Sequence, residues 1–482
     1  MRTSPSRACV FGCARAVATV CLLATALPAR AIPAFARKYG TSCLTCHVIF
    51  PKLTPFGEAF RRNGYRFPGV DSDYVKQDTI ALGQEANKKT FPNSVWPGTI
   101  PASVPLSVGA NGQAVLVPSS TSSLGRAPNS GTLSLQDLVA EGHLWAGAAL
   151  DDTITLWGEL TFSSDGTVDV EHAQVLFNDL VGPKHLVNLV VGRGFPTVTP
   201  FGPHSSYVGD LMLTNVPVTG IYGTSPNPWM LVNSYNGVEL NGVAAGRVGY
   251  SLGLSAGATP SGFRVPTENF YGQVSWKLGG MQLDGEGSSG PPDALHPWAE
   301  TALTLYAFGY RSNSMWNAAP ATSPTITVQN DVATTFGGGL RAQLQSLELN
   351  AGYYRDEHNH GTDALGNVTA HVAFGELSYV IFPWMVPAIR VESATLAPQG
   401  GASVSDLHVM PGVAFLVRPN LRVVAVANWE HTSGFPTTQG GPVAWQGGAA
   451  DWGSFVIAPP PNGTNGSVSE FESFAVFLAW AM

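Results

Sequence analysis

The chain has 482 residues, of which 12% are Asp, Glu, Lys or Arg, against roughly 25% in ordinary soluble domains. No run of about 18 apolar residues occurs beyond the N-terminus, which excludes a helical membrane bundle, and five cysteines are too few for a disulfide scaffold. The formal charge of −8 is too acidic to suggest nucleic acid as a partner. Many short apolar stretches and abundant turn residues (54 Gly and 36 Pro) predict an all-β chain whose outer surface is suited to lipid.

Residues 1 to 31 read as an export signal: Arg2, Arg7 and Arg15 precede the apolar run Ala16 to Leu27, and Ala29-Arg30-Ala31 offers the cleavage site before Ile32. Removing four arginines with the signal leaves 21 basic and 33 acidic residues, a net of −12. Cys9, Cys13 and Cys21 leave as well, so the mature chain keeps Cys43 and Cys46 alone.

Those two cysteines fall in Cys43-Leu44-Thr45-Cys46-His47, the attachment sequence of a c-type haem. Two thiols add to the vinyl groups, and the adjacent His47 supplies an axial nitrogen to the iron. A redox-active CxxC disulfide and half of a zinc site compete with this reading, but a second Cys pair and a βαβ context are both missing. Pro51 and Gly64 bracket a short helix carrying Leu53, Phe56 and Phe60 on one face, placed to cover a haem or to pack on protein alone. The stretch Ile32 to Phe67 carries a net of +5 and leaves −17 on the rest. Arg37, Arg61 or Arg62 is available to a haem propionate, or all three form a solvated basic face.

Between His47 and His143 there is no His and no Met. A sixth iron ligand must therefore be a nearby Lys or Tyr, or come from much later in the chain. Residues 32–70 are also short for a self-standing domain, so they borrow walls, and a ligand if there is one, from the larger C-terminal part of the chain.

Residues 71–130 are rich in Pro, Gly and Ser and read as a linker or irregular plug, with a weak strand pattern in Leu106 to Val117. From 131 to 482 the pattern is that of an outer-membrane β-barrel. In Thr153 to Phe162, Ile154, Leu156, Leu160 and Phe162 alternate with Thr155, Trp157, Glu159 and Thr161. Similar alternation recurs in Val332 to Gln345, Leu347 to Tyr354 and Leu421 to His431. Tight turns near Ser346, Pro383 and Pro419 alternate with longer connections near 311–331, 355–368, 397–406 and 432–470, the asymmetry of such barrels. The last segment puts Phe474, Val476, Leu478, Trp480 and Met482 on one face, like a terminal barrel-assembly signal, although those usually end in an aromatic residue. At 20 to 23 residues per strand and connection, about 16 antiparallel strands are expected. A lumen of that size has room for the N-terminal segment as a plug, and alternation makes His143, His172, His408 and Met410 the lumen-facing candidates for the distal haem ligand.

The run Pro33-Ala34-Phe35-Ala36-Arg37-Lys38-Tyr39-Gly40, then Cys43 to His47, Phe50-Pro51, Phe56-Gly57 and Gly64-Tyr65 resembles the fused outer-membrane monohaem cytochrome-porin proteins of iron-oxidising bacteria. The match covers roughly 35 residues, and the remainder agrees in length and architecture only. The resemblance implies one covalent haem c on Cys43, Cys46 and His47. It further implies electron transfer across the bacterial outer membrane, from an extracellular donor such as ferrous iron to a periplasmic carrier. Either a pure electron carrier or an iron oxidase fits, and a hydrolase or transferase does not. The alternative is a transport porin whose haem-bearing plug is structural or redox-gating, favoured by the mixed charges Arg341, Arg390, Arg418, Glu376, Glu392 and Glu430. A haem enzyme with an open iron site is a third class. The sequence Arg355 to His360 is expected in an external loop, where its ligand types would suit iron or be merely solvated.

Overall fold

The computed structural model describes residues 34–481 except 70, 82, 94–98, 102–104, 118–131, 136–137, 199–233, 257–267, 287–295, 318–327, 363–365, 400–402, 434–442, 446–454 and 458–466. The expected export signal lies outside the described residues.

Two short helices, α1 (Ala34–Tyr39) and α2 (Pro55–Arg62), precede the sheet. The barrel strands are β1 (Leu106–Val117), β2 (Glu141–Ala149), β3 (Ile154–Ser163), β4 (Val168–Phe177), β5 (Asn188–Gly194), β6 (Tyr235–Ala244), β7 (Val248–Ala256) and β8 (Glu268–Gly279), followed by β9 (Glu300–Asn317), β10 (Val328–Gln345), β11 (Leu347–Thr362), β12 (Gly366–Tyr379), β13 (Met385–Pro398), β14 (Val404–Arg418), β15 (Leu421–Ser433) and β16 (Ser467–Ala481). Among the described residues these sixteen strands form one closed antiparallel barrel, each paired with its neighbours in the chain. Closure comes from β16 against β1, running from Phe474 opposite Leu116 to Ala481 opposite Gly109. The short strand Thr132–Ser134 extends the sheet on the β2 side of β1.

Alternation decides which side of the wall each residue meets. On β7, Leu252 and Leu254 point outward and are exposed, while Ser251 and Ser255 point inward and are buried. On β3 the same split exposes Leu156 and Phe162 and buries Thr155 and Thr161. Exposed aromatic residues gather near both ends of the strands, among them Trp276, Tyr379, Phe382 and Trp384 toward the short turns and Phe270 and Trp429 toward the long connections. A closed wall leaves no unpaired edge, and an apolar outer face rimmed by aromatics is the surface lipid requires. The protein is a membrane-spanning barrel.

Two expectations need correction. The barrel begins at Leu106 rather than at 131: the stretch 106 to 117, weakly patterned because it is rich in Gly and small residues, is β1 and seals the wall. The segment Arg355 to His360 is part of β11, not a loop. His358 there faces the lumen, its Nδ1 2.5 Å from Asp331 and its Nε2 3.1 Å from Asp356, and inward-facing polar pairs of this kind read as loop in one dimension.

The inner wall of the C-terminal half is packed. Tyr306, Phe308, Tyr310 and Tyr354 are buried there, beside Arg390, which lies between Glu376 and Glu392. Of the other mixed charges expected in the lumen, Arg418 is exposed at the end of β14.

The N-terminal segment occupies the short-turn end of the lumen. Helix α2 starts where the Thr54 hydroxyl accepts from the Gly57 amide at 3.0 Å, with Pro55 in the first turn and Glu58 at the positive end of the helix. Arg61 and Arg62 complement its last turn, and Gly64 follows with φ +67°. Its inner face buries Phe56, Ala59 and Phe60. Polar ties fix it to the wall: Lys52 meets Glu348 at 2.5 Å, Arg341 meets Glu58 at 2.5 Å and Glu348 at 2.9 Å, and Arg66 meets Asp179 at 3.0 Å. The Thr155 hydroxyl donates to the Gly64 carbonyl at 2.7 Å. The plug is thus seated by charge pairs with few water contacts, which are costly to break singly.

Candidate functional site

Residues 42 to 54 fold into a compact turn. Ser42 caps a 3₁₀ turn over Cys43–Thr45, and the Cys46 amide donates back to the Cys43 carbonyl at 3.2 Å. The Thr54 amide and hydroxyl then donate to the carbonyls of Cys46 and Thr45, both at 2.9 Å, pinning the start of α2 onto this turn. Gly57 makes the approach possible, since a Cβ there would lie 2.0 Å from the Cys46 carbonyl oxygen. The two thiols are not joined to one another. Desolvation pushes both thiols up, Cys46 to about 12, which favours their protonated forms.

His47 is oriented by its own chain. Its Nδ1 lies 3.1 Å from the Pro51 carbonyl, to which it donates, and the Lys52 backbone also holds the ring. Desolvation lowers His47 to about 4, so the ring stays neutral at ordinary pH.

These residues open onto a cavity of about 400 Å³ between the plug and the wall strands β1 to β8 and β14 to β16. Aromatic rings line it from both sides: Phe35 stacks on Tyr65 at 5.2 Å, and Tyr65 on Trp157 at 5.0 Å. From the wall, Trp145 meets Phe50 at 6.3 Å, and Phe50 meets His47 at 5.3 Å. Arg61 and Arg62 also face the cavity, and the buried Nε of Arg62 has no hydrogen-bond partner among the described residues. Arg37 turns elsewhere and donates to the Leu106 carbonyl.

Of the four distal candidates, the fold brings two to this cavity. His143 and His172 line it. His408 is buried between Asp406 at 3.0 Å and Asn428 at 3.3 Å, and Met410 belongs to the apolar packing of the C-terminal half; neither lines the cavity. All four face inward as alternation requires, but depth along the strand and position around the ring separate them. Glu159 links the two that remain, accepting from His143 Nδ1 at 3.2 Å and from His172 Nδ1 at 3.0 Å. Among the described residues, the acids and histidines close enough to share a metal ion are His143, Glu159 and Glu171, and the cysteine pair belongs to no such group. That arrangement does not favour a zinc site on Cys43 and Cys46.

No family model and no curated protein matches the chain. Among solved structures it is similar to OmpT of Vibrio cholerae, at 11% identity and a TM-score of 0.46 over 78% of this chain and 97% of that one. The anion-selective porin from Comamonas acidovorans shows 10% identity and a TM-score of 0.47 over 79% and 99%. The outer membrane channel DcaP of Acinetobacter baumannii shows 8% and 0.42 over 79% and 97%.

Proposed function

We propose that this protein is a bacterial outer-membrane electron-transfer barrel, carrying one haem c on Cys43 and Cys46 with His47 as an axial ligand. The observation that carries the proposal is that the CxxCH turn opens onto a cavity inside a membrane-spanning wall. The donor set suits the group. Two uncoupled thiols stand two residues apart, His47 is neutral with its Nδ1 already engaged, aromatic rings supply apolar faces, and the unpaired Nε of Arg62 awaits an anionic group such as a propionate.

Bound there, the haem supplies a one-electron centre within a lipid-spanning shell. The chain's own residues do the rest. Pro51 orients His47, α2 and Tyr65 keep water from one side of the cavity, and the ion pairs of Lys52 and Arg341 hold the segment in register with the wall. Short turns face the periplasm in barrels of this kind, which puts the plug at the periplasmic end, within reach of a soluble carrier, and the opposite mouth toward an extracellular donor such as ferrous iron.

The alternative is a transport porin with a haem-bearing plug. The mixed inner charges favour it, whereas three ion pairs tying the plug to the wall, Lys52–Glu348, Arg66–Asp179 and Glu58–Arg341, weigh against a plug that swings. Purified protein in liposomes enclosing a redox dye separates them. Reduction of the dye by external ferrous iron without ion leakage is the expected result; solute flux without dye reduction would favour the porin, and absence of covalent haem would remove the haem reading altogether.

A further inference from the structure

We infer that the inner wall beside the plug is a binding site for a divalent transition-metal cation, held by His143, Glu159 and Glu171 with the Thr161 hydroxyl. The wall residues facing the lumen form an ordered ladder. On β2 the series from the plug outward is Gly147, Trp145, His143, Glu141; on β3 it is Thr155, Trp157, Glu159, Thr161. Thr155 bonds Gly64, and Phe35 packs against Gly147, which stands opposite Trp157. Rings from the plug reach Trp157 and Trp145, and Trp145 stands opposite Glu159. His143 and Thr161 form the next rung toward the long-connection mouth, about 7 Å per two residues along a strand.

The backbone brings an extra donor to this place. Strand β4 opposes β3 with Glu159 facing His172 and Leu160 facing Val170, so Glu171 is the additional residue of a β-bulge. In regular alternation Glu171 and His172 would point to opposite sides of the wall. With the bulge, both line the lumenal cavity, the re-aiming for which bulges recur at functional positions.

The donor atoms already have the spacing of a coordination shell. His143 Nδ1 lies 3.2 Å from Glu159 Oε1 and 3.4 Å from Thr161 Oγ1, and Thr161 Oγ1 lies 2.7 Å from Glu171 Oε2. The ligand atoms of His143, Glu159 and Glu171 fall within 4.8 Å of one another. Around an ion with bonds of about 2.1 Å, adjacent octahedral ligands stand about 3 Å apart, so a cation would replace the protons now shared along these contacts with little movement. One imidazole with two carboxylates suits first-row divalent ions rather than a thiophilic metal or Ca²⁺. Trp145 stacks on His143 at 5.1 Å and 6°, so the site adjoins the ring series that ends at His47. The donors are wall residues alone, and binding does not require the haem reading to hold.

The test titrates the full chain, as isolated in detergent micelles, with Mn²⁺ and follows the free-ion electron paramagnetic resonance signal. One saturable ion per chain is expected, with a ¹⁴N coupling from imidazole in the pulsed spectrum. His143→Gln and Glu171→Gln should each weaken binding at least tenfold, whereas Glu357→Gln on distant β11 should bind as the parent does. Absence of saturable uptake, absence of the nitrogen coupling, or parental affinity in both site variants would overturn the proposal. Should either variant fail to fold, stoichiometry and nitrogen coupling in the parent still decide it.

Discussion

Lys52 Nζ sits 2.5 Å from Glu348 Oε1, joining the plug to β11 across 296 residues of sequence. Glu348 is shared, because Arg341 reaches its second oxygen at 2.9 Å. The asymmetry predicts two different losses. Lys52→Met leaves Glu348 paired with Arg341 and should cost about 1.5–3 kcal/mol of plug docking, the range of a charged hydrogen bond. Glu348→Gln strips two cations at once and should cost about 3–5 kcal/mol. Denaturation followed by the fluorescence of Trp145 and Trp157 beside the plug, against the far-ultraviolet signal of the barrel, reads plug release separately from wall unfolding. Equal losses in the two variants would contradict the shared-acceptor arrangement.

Acid should loosen a neighbouring tie, Glu58 with Arg341. Burial opposes ionisation of Glu58, but Arg341, then Arg62 and Arg61, outweigh it and lower Glu58 from about 4.5 to about 2. A carboxyl depressed in the folded state stabilises fully above its unfolded value and loses that contribution as pH falls through the folded one. Plug docking should therefore weaken between about pH 4.5 and pH 2, and Glu58→Gln should flatten that part of the profile while lowering stability at pH 7. A parental profile that is level across this window would remove the assigned role of the Arg341 pair.

Strand alternation and the CxxCH spacing are legible without coordinates because both depend on periods of two or three residues. Leu156 and Thr155 go to opposite faces as their alternation requires, and His143 and His172 face inward. Features set by distant pairing are not legible. Leu106 to Val117 looks like linker because its partner, β16, lies over 350 residues away, and the pairing, not its own hydrophobicity, makes it a strand. The bulge at Glu171 leaves no mark in the sequence, since which residue is skipped depends on the register of β3. The tie between Glu159 and both cavity histidines is equally hidden, although alternation alone puts Glu159 on the wet face.

Covalent attachment should depend on the local turn. Cys43→Ala and Cys46→Ala should each abolish a two-thioether haem, and the double variant should carry no haem that survives denaturing electrophoresis. Gly57→Ala is the more specific test, because its Cβ would meet the Cys46 carbonyl at 2.0 Å and push α2 off the turn. Haem content by the alkaline pyridine assay should fall severalfold in Gly57→Ala with the barrel still folded. Parental haem content there would mean that the close approach of α2 has no part in the site.

Under the proposed haem reading, the expected sixth ligand is His172. Its Nδ1 faces Glu159 Oε2 at 3.0 Å, which leaves Nε2 as its donor atom on the cavity side. His143 is engaged at both ring nitrogens, Nδ1 by Glu159 at 3.2 Å and Nε2 by Asn111 at 3.1 Å. Edge contacts with Trp157 at 6.1 Å and Phe195 at 4.8 Å hold the His172 ring in place. If the parent is low-spin with two imidazoles, His172→Ala should turn the ferric spectrum high-spin and open the iron to carbon monoxide after reduction. Met410→Leu and His408→Gln should leave the spectrum unchanged, since neither residue reaches the cavity. Glu159→Gln should keep the low-spin state but lower the ligand's basicity and raise the reduction potential, a shift that a merely structural Glu159 would not produce. A low-spin His172→Ala protein would place the ligand elsewhere.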